Sequence, residues 1–241
     1  MAKFNPQRVL VTGGNGRLGT ELKNILPKAD FPASAVFNVT NEKQMKKYLR
    51  SRRPSLIIHG AAVISPPVID KDPAKALEVN IIGTALLSKL CLRYGITLVY
   101  ISTDYVFDGK KGNYKEDDAV LPVNKYAWSK LGGEAAVRML DDYLIIRMSF
   151  GDKVFPYDKA FTDHYTSRES VDVIAKKLVV MLKAGARGII HLGHTRRSVY
   201  QYAKALGSKK AIGKISIADV PFAVPKDTSL NTAKYKAYAK K

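Results

Sequence analysis

The sequence predicts an α/β fold in which a doubly wound parallel sheet carries helices on both faces, followed by a small C-terminal part. Three observations lead there. First, short apolar runs of strand type, around Arg8–Val11, Ser55–His59, Leu98–Ile101, Tyr143–Met148 and Gly188–Leu192, alternate with segments of helical period. Second, the first run leads directly into Thr12-Gly13-Gly14-Asn15-Gly16-Arg17-Leu18-Gly19, and a helical pattern with Leu18, Leu22, Ile25 and Leu26 on one side follows at once. Third, 241 residues with 46% hydrophobic content suit one core domain with a small appendage.

The glycine turn has a physical purpose between a strand and a helix. Gly13 allows the tight turn, Gly16 lets a pyrophosphate approach the backbone, and Gly19 lets the helix pack closely on the strand. The phosphate would lie on the free N–H groups of the helix N-terminus. The core is therefore expected to be of Rossmann type, with residues 1–150 as the dinucleotide-binding part, completed by about 165–193. Residues 151–164 and 194–241 are expected to form the small substrate-binding part.

In order, the first helix ends near Leu26-Pro27. A compact strand is expected over Ala35–Val39. Asp30 stands near the distance at which such folds place an acid for the ribose hydroxyls, but it precedes a proline in loop-like sequence. Arg17, inside the turn, could meet a 2′-phosphate, and this favours NADP over NAD. A helix follows over 41–52, with Met45, Tyr48 and Leu49 inward and Lys43, Lys46, Lys47 and Arg50 as a basic stripe outward. Ser55–Ala62 reads as strand and turn, with Ala61 and Ala62 small enough for a cofactor to lie against the backbone. His59 reads as a packed or hydrogen-bonded strand residue. A loop is expected over 63–72, then a long helix over 73–94 with Asn80 inside it. Asn is a poor mid-helix residue, so a specific bond is expected there.

The next strand ends in Ser102-Thr103, where an open α/β sheet binds its ligands. A polar rim over 110–123 leads to a helix that begins at Asn124-Lys125-Tyr126-Ala127-Trp128-Ser129-Lys130 and runs to about Leu140. Tyr126 and Lys130 lie one turn apart on one face. A cation so placed is expected to pull a phenol, ordinarily near ~10, toward neutral and make it a general acid or base. Trp128 points about 200° away and suits a helix or subunit contact. Beyond Gly151, a loop over 152–164 precedes a helix expected from about Tyr165 to Leu182. Arg168 suits either a phosphate or an internal ion pair. A short helix is expected over 198–206, and the Lys-rich tail reads as weakly structured. His191 and His194 have no evident third ligand, so no metal site is expected.

These stretches resemble the extended short-chain dehydrogenase/reductases, and within them the dTDP-4-dehydrorhamnose reductase group of nucleotide-sugar 4-ketoreductases. The resemblance is carried by VTGGNGRLG (11–19), ALEVNIIGT (76–84), YISTDYVFDG (100–109), YAWSK (126–130), LIIRMSFG (144–151) and VPKDTSLNTAK (224–234). It implies a catalytic triad of Thr103, Tyr126 and Lys130. It places Gly13, Gly16, Arg17, Leu18, Gly19, Ala61, Ala62, Asn80, Tyr126 and Lys130 on an NADPH or NADH cofactor. Asp104, Phe107 and Arg168 fall on the substrate side. The group often carries an acid in the place of Asn38, and this chain does not. It is also shorter than many members of the group, in its C-terminal half.

Composition limits the other classes. No run of 18 apolar residues suggests a spanning helix, and no signal-type leader precedes the first strand. The single Cys91 cannot form an internal disulfide, so a cytoplasmic protein is expected. Forty Lys+Arg against 21 Asp+Glu give a net charge of +19. Such a field attracts anions, nucleotide sugars included. No nucleic-acid motif accompanies it, so nucleic acid is not the expected partner; a nucleotide-sugar substrate is, and a homodimer is allowed. The competing functions are a nucleotide-sugar epimerase using the same triad, and a non-catalytic partner such as the regulatory β subunit of methionine adenosyltransferase, which resembles the same group.

Overall fold

The protein is described by a computed structural model over residues 4–207 and 211–240. Its centre is a five-stranded, wholly parallel sheet formed by β1 (Val9–Thr12), β2 (Leu56–His59), β3 (Thr97–Ile101), β4 (Tyr143–Met148) and, last in the order, β9 (Gly188–Leu192). The strands are apolar on both sides because both sides are covered. Val9, Val11, Ile58, Val99, Leu144 and Ile146 face one helical layer. Leu10, Ile57, Leu98, Tyr100 and Ile145 face the other.

The first layer holds α1 (Arg17–Ile25) and α7 (Val171–Lys183); Leu18 and Leu22 meet Ile174 and Leu178 there. The second holds α2 (Glu42–Arg52) and α6 (Lys125–Val137), with a helical rod between them. That rod runs from α4 (Pro73–Ala76) through a π-helical turn, Leu77–Gly83, into α5 (Thr84–Tyr94), and Asn80 sits in the π turn. π turns inside helices are common at functional sites.

The hand of the last crossover matters. α2, the rod and α6 cover one face as the chain steps from β1 toward β4, but α7 returns on the α1 face. The connection from β4 to β9 thus has the opposite hand to those before it, against a strong general preference. To make it, the chain passes over the carboxyl end of the sheet. Its residues 149–170, including β5 (Phe150–Gly151), β6 (Lys159–Phe161), β7 (Tyr165–Thr166) and β8 (Glu169–Ser170), come to stand over the strand ends. β5 pairs with β8, β7 with β10 (Arg197–Ser198) and β6 with β11 (Gly213–Ile215). α8 (Val199–Ala205) follows β10 and begins at a capping box between Ser198 and Gln201.

Several sequence expectations are corrected. Residues 35–39 form turns and no strand; the outer edge of β1 is met instead by a single bridge from Asp30 to Leu10. The expected loop 63–72 holds a helix, α3 (Pro66–Lys71), whose first residues are prolines, as a first helical turn tolerates. The helix expected from Tyr165 starts only at Val171, because residues 165–166 and 169–170 are drawn into short strand pairs. The tail is ordered: α9 (Ala233–Ala239) packs Tyr235 and Tyr238 against the first-layer core. Trp128 is 53% exposed on the outer face of α6, so the core does not hold it. No helix among the described residues is long and apolar enough to cross a membrane.

Candidate active site

The carboxyl ends of β1 to β4 and the N-terminus of α1 open into one cleft of about 700 Å³. Its floor is the glycine turn. Gly13 has φ +74°, a left-handed conformation that favours glycine. A Cβ on Gly19 would come 2.5 Å from the Gly13 carbonyl oxygen, so α1 sits as close to the turn as a bare backbone allows. No side chain caps the α1 N-terminus, and its N–H groups are left for a ligand. Gly19→Ala is therefore expected to abolish dinucleotide binding and to lower the melting temperature, because the clash is with backbone and cannot be relieved by a rotamer change. A variant that still bound cofactor with normal affinity would contradict this packing.

The wall opposite the turn is catalytic in character. Asn124 accepts a hydrogen bond from Ala127 N–H at 2.9 Å and so sets where α6 begins. That start brings Tyr126 and Lys130 to the cleft, where they line one surface with Thr103 from the end of β3. Lys130 is 3% exposed, and its ammonium lies 4.0 Å from the centre of the Tyr100 ring. Burial drives its pKa down to about 7, and Glu134 one turn further on opposes that fall. Burial pushes the Tyr126 phenol well above its ordinary value, while the nearby Thr103 hydroxyl works the other way. The expectation that Lys130 brings Tyr126 toward neutral is thus corrected. Burial among the surrounding groups outweighs attraction to a cation, and Lys130 is directed at the Tyr100 face.

The Lys130 shift carries a stability prediction. An unfolded lysine holds its proton to about pH 10.5, the folded Lys130 only to about 7. Below about pH 7 both forms are charged and the folded state bears the full burial cost. Between the two values the unfolded state binds more protons, so stability rises with pH. Lys130→Met should stabilise the fold most at about pH 6, with the gap to the native protein narrowing by about pH 9 in urea unfolding. A gap independent of pH would contradict the buried ammonium.

The end of β3 and the C-terminal part meet beside this wall, where the sequence reading expects the substrate side. Asp104 is buried and accepts hydrogen bonds from Thr166 at 2.9 Å and Thr228 at 2.6 Å. Burial raises its pKa, and these donors oppose the rise. Through Thr228 the tail is stapled to the site, which the sequence reading missed for both threonines; the one signal was that Thr228 lies in the VPKDTSLNTAK ending. Arg168 lines the cleft and donates to Ser149 Oγ at 3.4 Å. Among the described residues no carboxylate comes within ion-pair distance of it, so the internal-pair alternative is not formed.

Other expected residues stand elsewhere. Ala61 and Ala62 line the cleft with Gly13, Gly16, Leu18 and Gly19. Asn80 is buried behind the wall: it accepts from Val63 N–H at 2.8 Å and donates to Val63 O and Ser129 Oγ, joining loop 63–65 to α6. Phe107 is fully buried and stacks on Tyr114 with ring centres 4.2 Å apart, outside the cleft lining. Arg17 lines the cleft but donates to Asp152 at 3.1 Å and lies over Phe150, at the Tyr126 end. That ion pair and the Phe150 contact occupy the guanidinium expected from the sequence to meet a 2′-phosphate. His59 is a buried strand residue, as expected; its Nδ1 pairs with the Thr12 hydroxyl at 2.7 Å and its Nε2 with the Thr84 hydroxyl at 3.0 Å.

The residues fit a nicotinamide dinucleotide. A glycine floor that excludes side chains, an uncapped helix N-terminus and an ammonium beside a phenol are what a pyrophosphate, a ribose and a reducible carbonyl require. Comparisons with known proteins agree. The model of the RmlD substrate binding domain family matches residues 7–180. A dTDP-4-dehydrorhamnose reductase of Aggregatibacter actinomycetemcomitans is 31% identical over 180 residues, 71% of this chain and 61% of that protein. Methionine adenosyltransferase 2 subunit beta of Xenopus laevis is 32% identical over 142 residues, 54% of this chain and 42% of that protein. The chain thus spans about two fifths to three fifths of the length of these curated relatives. A dTDP-4-dehydrorhamnose reductase from Bacillus anthracis, solved in complex with NADP, superposes with a TM-score of 0.86 at 26% identity, covering 95% of this chain and 92% of that one.

Proposed function

The chain belongs to the RmlD substrate binding domain family, and from that premise we propose that it reduces the 4-keto group of a nucleotide-linked deoxysugar with NADPH or NADH. The observation that carries this reading is the convergence of Thr103, Tyr126 and Lys130 on one wall of the cleft floored by the glycine turn. When bound, the reduced nicotinamide supplies the hydride. The protein's own residues do the rest. Tyr126, kept protonated by burial, donates its proton to the carbonyl oxygen as the carbon is reduced. Thr103 orients that oxygen with its hydroxyl. Lys130, whose ammonium stands over the Tyr100 ring on the same wall, would hold the ribose and supply positive charge to that wall as the phenolate forms. Arg168, with no carboxylate at ion-pair distance among the described residues although the Asp104 carboxylate feels its charge, is the cation available to a substrate diphosphate. The net charge of +19 favours capture of such an anion.

The test is loss of reduced-nicotinamide absorbance when a dTDP-4-keto-6-deoxy sugar is added to the purified protein with NADPH or NADH. Turnover supports the reading. Tight cofactor binding without turnover on dTDP- or UDP-linked 4-keto sugars would sink it. That outcome would favour a partner role without chemistry, the reading to which the similarity with methionine adenosyltransferase 2 subunit beta points. Cofactor-dependent interconversion of sugar epimers without net oxidation would instead identify an epimerase.

A further inference from the structure

We propose that Lys23, with Asn15 and Ser34, forms the recognition site for the 2′-phosphate of NADPH, so that the chain is NADP-selective. This rests on the nicotinamide-cofactor reading above.

The bridge between Asp30 and Leu10 puts residues 31–34 where the second strand of a dinucleotide fold ends, beside the adenosine ribose. An NAD-selective site carries an acid there, which takes the ribose hydroxyls and repels a 2′-phosphate. Here the residues are Phe31-Pro32-Ala33-Ser34. The nearest acid, Asp30, is committed elsewhere. Its two carboxylate oxygens accept from the Tyr48 hydroxyl at 3.0 and 2.8 Å, and Arg52 lies 3.8 Å from it. Asn15, Pro32, Ala33 and Ser34 line the cleft; Asp30 and Lys23 stand just behind that lining, Asp30 turned to Tyr48 and Lys23 to Asn15.

A cation stands at the same corner. Lys23 lies two turns along α1, and helical side chains lean toward the N-terminus. Its ammonium donates to Asn15 Oδ1 at 3.0 Å and sits 5.7 Å from the centre of the Phe31 ring. The turn and residue 31 are in contact: a Cβ on Gly14 would lie 3.1 Å from Phe31 Cβ. Lys23 therefore stands between the glycine turn and the 31–34 segment, with no carboxylate at ion-pair distance among the described residues. Arg17, the other cation of this turn, is drawn across to Asp152. A hydroxyl and an amide at one end of the cleft, with a cation bonded to that amide and the acid turned away, suit a dianionic phosphate ester.

The experiment is calorimetric titration of the full chain with NADPH, NADH, adenosine 2′,5′-bisphosphate and AMP. The native protein should bind NADPH at least roughly tenfold more tightly than NADH, the scale of one charge-assisted contact. Adenosine 2′,5′-bisphosphate should exceed AMP by a similar ratio, without a nicotinamide and without turnover. Lys23→Gln should reduce both ratios by about tenfold, and Lys23→Arg should retain most of the preference. Lys23 is at the surface of α1, so unchanged melting will show that the variants fold. Equal affinity for the two dinucleotides in the native protein, or ratios unaltered by Lys23→Gln, would overturn this proposal and leave the reductase reading intact. Failure to bind either dinucleotide would overturn both.

Discussion

Tyr126→Phe is expected to reduce turnover on the order of 10²-fold or more while leaving cofactor affinity within a few-fold. The substitution removes one hydroxyl and keeps the ring that helps to shape the cleft wall. It is the proton donor that is lost. With the phenol pushed above its ordinary value by burial, the donor form is the populated form at neutral pH, as the proposed reduction requires. In the proposed reduction the phenol gives up its proton as negative charge develops on the carbonyl oxygen. Steady-state rates with saturating reduced cofactor, together with a direct binding titration, check this. Equal loss of cofactor binding would mean that Tyr126 holds the wall together instead of acting on substrate. Unchanged turnover would remove it from the chemistry.

The second large effect is on stability. Glu134 accepts from Arg147 Nη2 at 2.8 Å and Nε at 3.0 Å, and from Ser102 Oγ at 2.5 Å. The Glu134 and Arg147 side chains are 1% and 3% exposed. Arg147 also donates to Glu116 O at 3.3 Å and lies over the Phe107 ring. Glu134→Ala would leave a buried guanidinium without its carboxylate, at a cost of about 3–5 kcal/mol. That is a large part of a stability of ordinary size, about 5–15 kcal/mol. Replacing both partners, as Glu134→Gln with Arg147→Met, should cost much less, since no lone charge remains. Urea unfolding of the two variants decides it. A small loss in Glu134→Ala, about 1 kcal/mol or less, would show that the pair is not insulated from water. Because Glu134 also opposes the fall of the Lys130 pKa, the double variant should make Lys130 easier still to deprotonate, and the low-pH limb of any pH–rate profile would move accordingly.

The sheet, the helix over 42–52, the glycine turn and the Tyr126 helix were legible because each rests on local pattern. Val9–Val11, Leu56–Ile58 and Leu144–Ile146 are apolar at every position, and only a strand buried on both faces uses such a run. Thr12–Gly19 and Tyr126–Lys130 carry their geometry in fixed spacing: a turn that tolerates no Cβ, and two side chains one helical turn apart. The excess of 19 positive charges needs no coordinates to count, and it is the ground on which an anionic ligand is expected.

What the sequence alone did not decide are matters of long-range partnership. Residues 35–39 look like a strand but have no neighbour to pair with, because β1's outer edge is taken by Asp30. The helix expected at Tyr165 waits until Val171, since β7 and β8 find partners in β10 and β5. Arg17 reads as a 2′-phosphate ligand by its place in the turn, yet Asp152, 135 residues away, claims it. Lys23 looks like a solvated helix cation until its contact with Asn15 and Phe31 is seen. The phenol of Tyr126 goes up and not down because desolvation is set by everything that surrounds it, whereas spacing records only the lysine one turn along. Local pattern therefore determined most elements of the fold and which residues are candidates for its chemistry. Tertiary structure decided their partners, their burial and so their charge states, because those energies depend on distances that the order of residues along the chain does not contain.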